Sequence, residues 1–342
     1  MIQISGEFRV SNDAFDDPPE LRRRIGEEGY LFFKGLQDKE KLTSLRKDIL
    51  TVMMDWGWLV KGTDPIDGIA DIKKQCTEGD IEYTDVYQYV QRLESFHRSG
   101  HWREVVSMIG KIVGGPVLPH PSMIARLWFP KYTDHTTPIH QDFVHFQGSF
   151  DTYTCWAPVG DCPIELGPLA LIPGSHKIDR VMDHHFSLGA GALAINTQDL
   201  SGVWLSDDFE VGDSLIFHSL TVHQALPNVT EDRMRVSLDN RYQVFGIPIA
   251  EQMLKPHLSN FADFGWEDIY ENWESDELKY YWKKHDLEVN KKIETWGKIA
   301  FDEAMDLAKG GDDKARHHLQ RMVKRDPETE ASIAAAEVLI QA

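Results

Sequence analysis

Cysteine is scarce in this chain: Cys76, Cys155 and Cys162 are an odd number with no CxxC spacing. That count argues against a disulfide framework and against a cysteine-built zinc site, so three reduced thiols are expected. No apolar run approaches the roughly 18 residues a membrane-spanning helix needs. The opening MIQISGEFRVSNDAF lacks both a basic patch and the long apolar stretch of a secretory signal. A cytoplasmic protein without a membrane partner is expected. Clusters of positive charge are also missing, with 36 Lys+Arg against 55 Asp+Glu and a formal charge of −19. Phosphate backbones are bound by basic faces, so a nucleic acid partner is excluded. The same charge is compatible with a neutral or cationic small substrate.

What is present is a globular composition, 42% apolar with ten tryptophans in 342 residues, falling into three zones. Residues 18–113 read mainly as helix. PPELRRRIGEEG opens on prolines and a charged first turn and stops at Gly29, YLFFKGL follows as a short strand, and KEKLTSLRKDILTVMMDW and HWREVVSMIGKIVG carry apolar residues at helical spacing. From about 115 to 248 the texture becomes short apolar or alternating runs broken by Gly, Pro, Asn and Asp, the pattern of an antiparallel sandwich or barrel. After about 250 it returns to helix. An aromatic, acidic stretch FGWEDIYENWESDELKYYWKKHD is followed by two amphipathic helices broken at Gly310 and Gly311 and by an Ala-rich tail.

Residues 136–146, TTPIHQDFVHF, crowd two histidines and an aspartate into a run that otherwise alternates like a strand. On an extended chain His140 and Asp142 leave one face and Gln141 the other. His145 has the wrong parity to join His140 unless the chain bends. A histidine and a carboxylate so placed are one ligand short of the two-histidine, one-carboxylate triad of non-haem Fe(II) oxygenases. The later segment GDSLIFHSLTVHQALPNVTEDRMRVSLDNRY has the chemistry to complete it: a strand GDSLIFH, a return at His223, and a second strand in which Arg235, Ser237 and Asp239 share a face. His223 is therefore the candidate third ligand. His285, His317 and His318 stand among charged residues and read as solvated surface groups. Trp128 and Phe129 read as core before they read as pocket walls.

IHQD, a CW followed by ELGPLALIPGSH, FHSLTVHQALPN and RVSLDNRY occur in that order, preceded by LRRRIGEEGYLFFKGL. Together they resemble the phytanoyl-CoA dioxygenase family of Fe(II)- and 2-oxoglutarate-dependent oxygenases. The resemblance implies a mainly β fold with flanking helices, its core a double-stranded β-helix of jelly-roll or cupin type. It implies Fe(II) held by His140, Asp142 and His223, with 2-oxoglutarate and O2 as cosubstrates and succinate and CO2 released. Arg235, twelve positions after His223, would pair with the distal carboxylate of 2-oxoglutarate, a task that suits a planar guanidinium. Arg233 shares its strand parity but comes at the loop end. Gln141 and Trp156 match positions near the cosubstrate or the metal ligands in relatives. Some members carry a hydroxyl two places after the distal histidine; Ala225 stands there, so Thr137 is a candidate for that hydrogen bond. Related halogenases lack the carboxylate, and its presence as Asp142 points to hydroxylation or a related oxidation.

An oxygenase domain over 1–250 (helical part about 18–113, β core about 115–248) with a helical C-terminal extension over 251–342 is the expected organisation, as a monomer or homodimer. The expected substrate is a small metabolite, since no acyl-CoA signature is visible. Specificity is expected to reside in loops, with 57–100 and 177–205 as insertions. WGWLVKGTDPIDGIADIKKQCTEGDIEY reads equally as part of a lid or as an ordinary surface connection. A reading of a different class is a metal-binding β-helix without oxygenase turnover, a sensor or an isomerase or lyase. A retained carboxylate clamp at Arg235 counts against it.

Overall fold

The structure, a computed structural model, describes every residue except 1, 197, 199, 292–295 and 342. Two antiparallel sheets face each other. The larger runs β2 (Tyr30–Phe33), β10 (Ser214–His218), β5 (Thr152–Pro158), β12 (Arg235–Val244) and β3 (Val117–Pro119), with β4 (Ile124–Trp128) also paired to β12. The smaller runs β1 (Ile4–Gly6), β9 (Trp204–Leu205), β6 (Leu169–Leu171) and β11 (His223–Ala225), with β1 and β9 parallel. Strand alternation sorts the side chains. Phe32, Trp156, Leu215 and Phe217 of the large sheet meet Leu169, Leu171 and Ala225 of the small one between the layers. Leu31, Phe33, Cys155 and Ile216 point the other way, onto helices.

Those helices are α1 (Pro18–Glu28) and α5 (Arg103–Val113). Asp17 caps α1 by accepting from the Glu20 amide, prolines occupy its first turn, and Gly29 at φ 78° ends it as the sequence predicts. In α5, Val105, Met108, Ile109 and Ile112 form one buried stripe at helical spacing. α2 (Lys39–Asp55), α3 (Ile81–Gln91) and α4 (Glu94–Ser99) enclose a second core with the outer residues of β4 and β12. Trp58, Leu59, Ala70, Cys76 and Tyr83 belong to that core. The stretch from 56 to 83 is therefore packed structure along much of its length, not a detached lid or a plain surface connection. β7 (His184–Phe186) and β8 (Leu193–Ile195) form a hairpin within 177–205.

Two regions depart from the sequence reading. At 136–146 only His140 pairs with a strand, through a single bridge to His223, and the chain then turns into a short helix, α6 (Phe143–Phe146). In the aromatic stretch, helix is limited to α7 (Trp266–Tyr270) and a 3-10 turn at Tyr281–Lys284. Trp266, Tyr270, Trp273 and Trp282 collect into one cluster against His97 of α4, and docking these rings sets the chain path. Beyond it α8 (Trp296–Lys309), α9 (Asp313–Arg325) and α10 (Glu330–Gln341) pack through alanines and Leu319, with Phe186 of the β7–β8 hairpin in the same cluster. His318 lies edge-on to Phe186, half-buried rather than solvated, while His317 and His285 are exposed. Among the described residues no helix is long and apolar enough to cross a membrane.

Candidate metal centre

His223 and Arg235 stand at the start of β11 and β12, and Asp142 at the head of α6. Asp142 has helical dihedrals, φ −59° and ψ −28°. A turn, and not strand parity, therefore brings His140 and Asp142 together. The same turn sets the His145 ring 5.1 Å from that of His140. Gly191 makes room for it: a Cβ there would lie 2.5 Å from the His145 ring, and the residue has φ 83°.

Both histidines have their tautomer set by the backbone. His140 Nδ1 lies 2.7 Å from the Pro138 carbonyl and His223 Nδ1 2.9 Å from that of Thr221. A carbonyl only accepts, so each Nδ1 carries a proton, and the lone pair through which a neutral ring binds a metal falls on Nε2. The two Nε2 atoms converge on Asp142 Oδ1 at 3.4 and 3.7 Å. The three ligand atoms all lie within 4.8 Å of one another. Atoms bound to one ion at about 2.1 Å stand about 3 Å apart, so this donor set, two neutral imidazoles and a carboxylate, suits a ferrous ion after a small inward shift.

The other carboxylate oxygen is held from behind. Thr154 of β5 donates to Asp142 Oδ2 at 2.5 Å, and Arg241 Nη2 lies 3.3 Å from both oxygens. Burial pushes the Asp142 carboxyl up, but Arg241, then His140 and His223, outweigh it and hold it well below the usual range. Burial likewise brings His223 down to about 4.

Arg235 is 2% exposed, donates from Nη1 to Ser237 at 3.1 Å, and has a buried Nε without a partner among the described residues. Its guanidinium lies over Trp128 and Trp156, 5.5 and 6.0 Å from the ring centroids. Burial lowers it to about 10, which leaves it charged at neutral pH. Arg233 is exposed and bonds the Asp67 carbonyl at the surface. Trp156 and Thr137 line the metal pocket. Gln141 does not meet the expectation of a cosubstrate contact: its Nε2 donates to the Leu220 and Arg180 carbonyls and its Oε1 accepts from the Met182 amide. With both ends of the amide occupied, the side chain ties the metal loop to its neighbours.

Arg241, Thr154, Arg126 and Glu78 escape the sequence reading. Arg241 had a signal, since it continues the face of Arg235, Ser237 and Asp239 at the same parity. Arg126 pairs with Asp239 at 2.9 Å and with Glu78, which lies far from it in sequence. Arg126, Thr137 and Arg241 line both the metal pocket and an adjoining cavity of about 420 Å³, whose walls include Glu78, His145, Phe146 and residues 252, 253 and 255–260. The C-terminal extension thus helps to build the cavity, and a boundary at 250 cuts through its wall.

Residues 25–237 match the family model of phytanoyl-CoA dioxygenase (PhyH). The chain belongs to the phytanoyl-CoA dioxygenase family. A 1-deoxypentalenic acid 11-beta-hydroxylase of Streptomyces arenae is 26% identical over 260 residues, 71% of this chain and 87% of the relative. The enzyme of that name from Streptomyces exfoliatus is 25% identical over the same shares. Among solved structures, the non-heme alpha ketoglutarate dependent carbocyclase SnoK from nogalamycin biosynthesis is 20% identical, with TM-score 0.49, over 71% of this chain and 88% of that one. This family member is a 2-oxoglutarate-dependent oxygenase with Fe(II) as its metal.

Proposed function

We propose that His140, Asp142 and His223 hold one Fe(II), that Arg235 binds the distal carboxylate of 2-oxoglutarate, and that the chain hydroxylates a small, largely apolar molecule seated in the adjoining cavity. The observation that carries this reading is the convergence of two histidine Nε2 atoms on one Asp142 oxygen, with Thr154 securing the other oxygen and Arg241 reaching both. With 2-oxoglutarate and O2, Fe(II) supplies the oxidising chemistry, in which the keto acid becomes succinate and CO2.

The protein's own part is to bind, orient and exclude water. The Pro138 and Thr221 carbonyls accept from Nδ1 of the two imidazoles and keep Nε2 of each aimed at the metal position. Thr154 and Arg241 fix the carboxylate plane, so Asp142 presents one oxygen to the metal. Arg235 offers an unpartnered Nε in an apolar recess of Trp128, Trp156 and Leu169, where a charge-assisted hydrogen bond to a carboxylate is strongest. The relatives are named as hydroxylases of 1-deoxypentalenic acid, which supports a small-molecule substrate, and Ile124, Phe146, Met253 and Leu258 in the cavity wall support apolar character in part of it. The retained carboxylate supports hydroxylation.

The test is succinate release and O2 uptake on adding Fe(II), 2-oxoglutarate and ascorbate, with small metabolites screened for stimulation. Asp142→Ala and His223→Ala are expected to lose this turnover while staying folded. Near-wild-type turnover in either would refute the assignment.

A further inference from the structure

His257 lies in the wall of the 420 Å³ cavity, beyond the residues that match the family. Its Nδ1 is 2.8 Å from the Tyr87 hydroxyl of α3. Which of the two donates follows from the other partners of that hydroxyl. Gln91 Nε2 lies 3.1 Å from the Met123 carbonyl, which only accepts, so the amide nitrogen must face that way. The same nitrogen donates to the Tyr87 oxygen at 2.9 Å, and the Ala125 amide donates to it at 3.3 Å. With two donors already on its oxygen, the phenol gives its own proton to His257 Nδ1. The imidazole is thereby fixed as the neutral Nε2–H form. Burial, then Arg126 and Arg241, hold it well below the usual histidine range, so it does not become charged near neutral pH.

We infer that His257 is a specificity-determining residue whose preset Nε2–H takes the hydrogen bond of an acceptor oxygen on an otherwise apolar substrate. The inference rests on the reading that this cavity holds the substrate. Among the described residues the hydrogen bond of His257 is the one at Nδ1, and the cavity it lines combines apolar Ile124, Phe146, Met253 and Leu258 with charged Glu78, Arg126, Arg241 and Lys255. A donor in such surroundings favours a ligand with an oxygen at that place over its hydrocarbon counterpart, because an unmet donor keeps its desolvation cost. The donor direction is fixed before binding, so little is lost in orienting it.

Two measurements on the full chain test this. Ring-nitrogen NMR of histidine-labelled protein should show His257 as a single Nε2–H tautomer from pH 6 to 8, and Tyr87→Phe should replace it with a mixture. Cyclohexanone and methylcyclohexane serve as probes of equal ring size with and without an acceptor. Cyclohexanone should move the His257 Nε2–H resonance, and His257→Phe should weaken its binding about tenfold while leaving methylcyclohexane unaffected. An Nδ1–H tautomer in the wild type, or equal weakening of both probes, overturns the inference. Iron-dependent succinate release is measured separately on the wild type. Its absence, with the tautomer and probe results intact, would count against the oxygenase reading and not against the His257 donor.

Discussion

Asp142 has more partners than coordination alone requires: Thr154 donates to Oδ2 and Arg241 reaches both oxygens. Outer partners of this kind orient a ligand, and their removal commonly costs 10- to 100-fold in metal affinity. Arg241→Met should therefore weaken Fe(II) binding by about that factor in anaerobic titration, and leave the fold intact by circular dichroism. Unchanged affinity would mean that Thr154 alone positions the carboxylate. Arg235→Gln removes a charge-assisted bond worth about 1.5–3 kcal/mol, so the 2-oxoglutarate concentration for half-maximal turnover should rise at least tenfold. Arg233→Gln should leave it within twofold; the opposite pattern would exchange the two roles. The grouping of His140, Asp142 and His223 was legible because their spacing and residue types belong to one chemistry, and the role of Arg235 is proposed on the same ground. Arg241 was not, although it lies on the same face of β12. Read along the sequence a third odd-numbered arginine is only another charge, and its partner Asp142 lies 99 positions away. Gln141 misled for the opposite reason: its place in the motif is next to the ligands, while its amide points at backbone.

At the scale of elements, α1 and α5 were legible because cap, stripe and stop signals agree within each segment. Residues 136–146 read as a strand because the run is too short for its period to separate strand from turn, and only the bridge to His223 decides where extension ends. The aromatic stretch 264–286 was misread since ring-on-ring packing with His97 on distant α4 overrides local periodicity. Another long-range device is α9. Arg321 donates to Asp80 at 2.6 Å and to the Glu78 carbonyl at 2.7 Å, and Lys324 pairs with Glu82. The C-terminal helices therefore pin the loop that carries Glu78 to Arg126 at the cavity. Arg321→Ala should speed amide hydrogen exchange across residues 76–82 while Fe(II) affinity stays within twofold. Unaltered exchange there would show that the loop is held by its own core packing at Cys76 and Tyr83.

Across the whole molecule, acidity and burial pull in different directions. The chain carries −19, yet Arg126, Arg235 and Arg241 sit around the metal pocket, each charge answered by Glu78, Asp239, Asp142 or an open place for a carboxylate. Composition alone could not show this, because an average over the surface says nothing about the interior. Buried histidines set the acid response. Burial lowers His97 to about 4 and His120 to about 3, against an ordinary value near 6.5. The unfolded chain then binds more protons below about pH 6.5, so stability is full above that value and declines as pH falls toward 4. In the metal-free protein the urea midpoint should drop steadily from pH 6.5 to 4, and His97→Gln should make the slope shallower by about 1.4 kcal/mol per pH unit. A flat midpoint across that window would contradict the burial of these rings.

The central claim is a ferrous ion shared by three named atoms, and the most direct measurement is anomalous diffraction at the iron edge from crystals grown anaerobically with Fe(II) and 2-oxoglutarate. The account predicts one strong peak about 2.0–2.2 Å from His140 Nε2, Asp142 Oδ1 and His223 Nε2, with the distal carboxylate of 2-oxoglutarate on Arg235. A peak away from any of the three, or a keto acid bound elsewhere with Arg235 left bare, would contradict it.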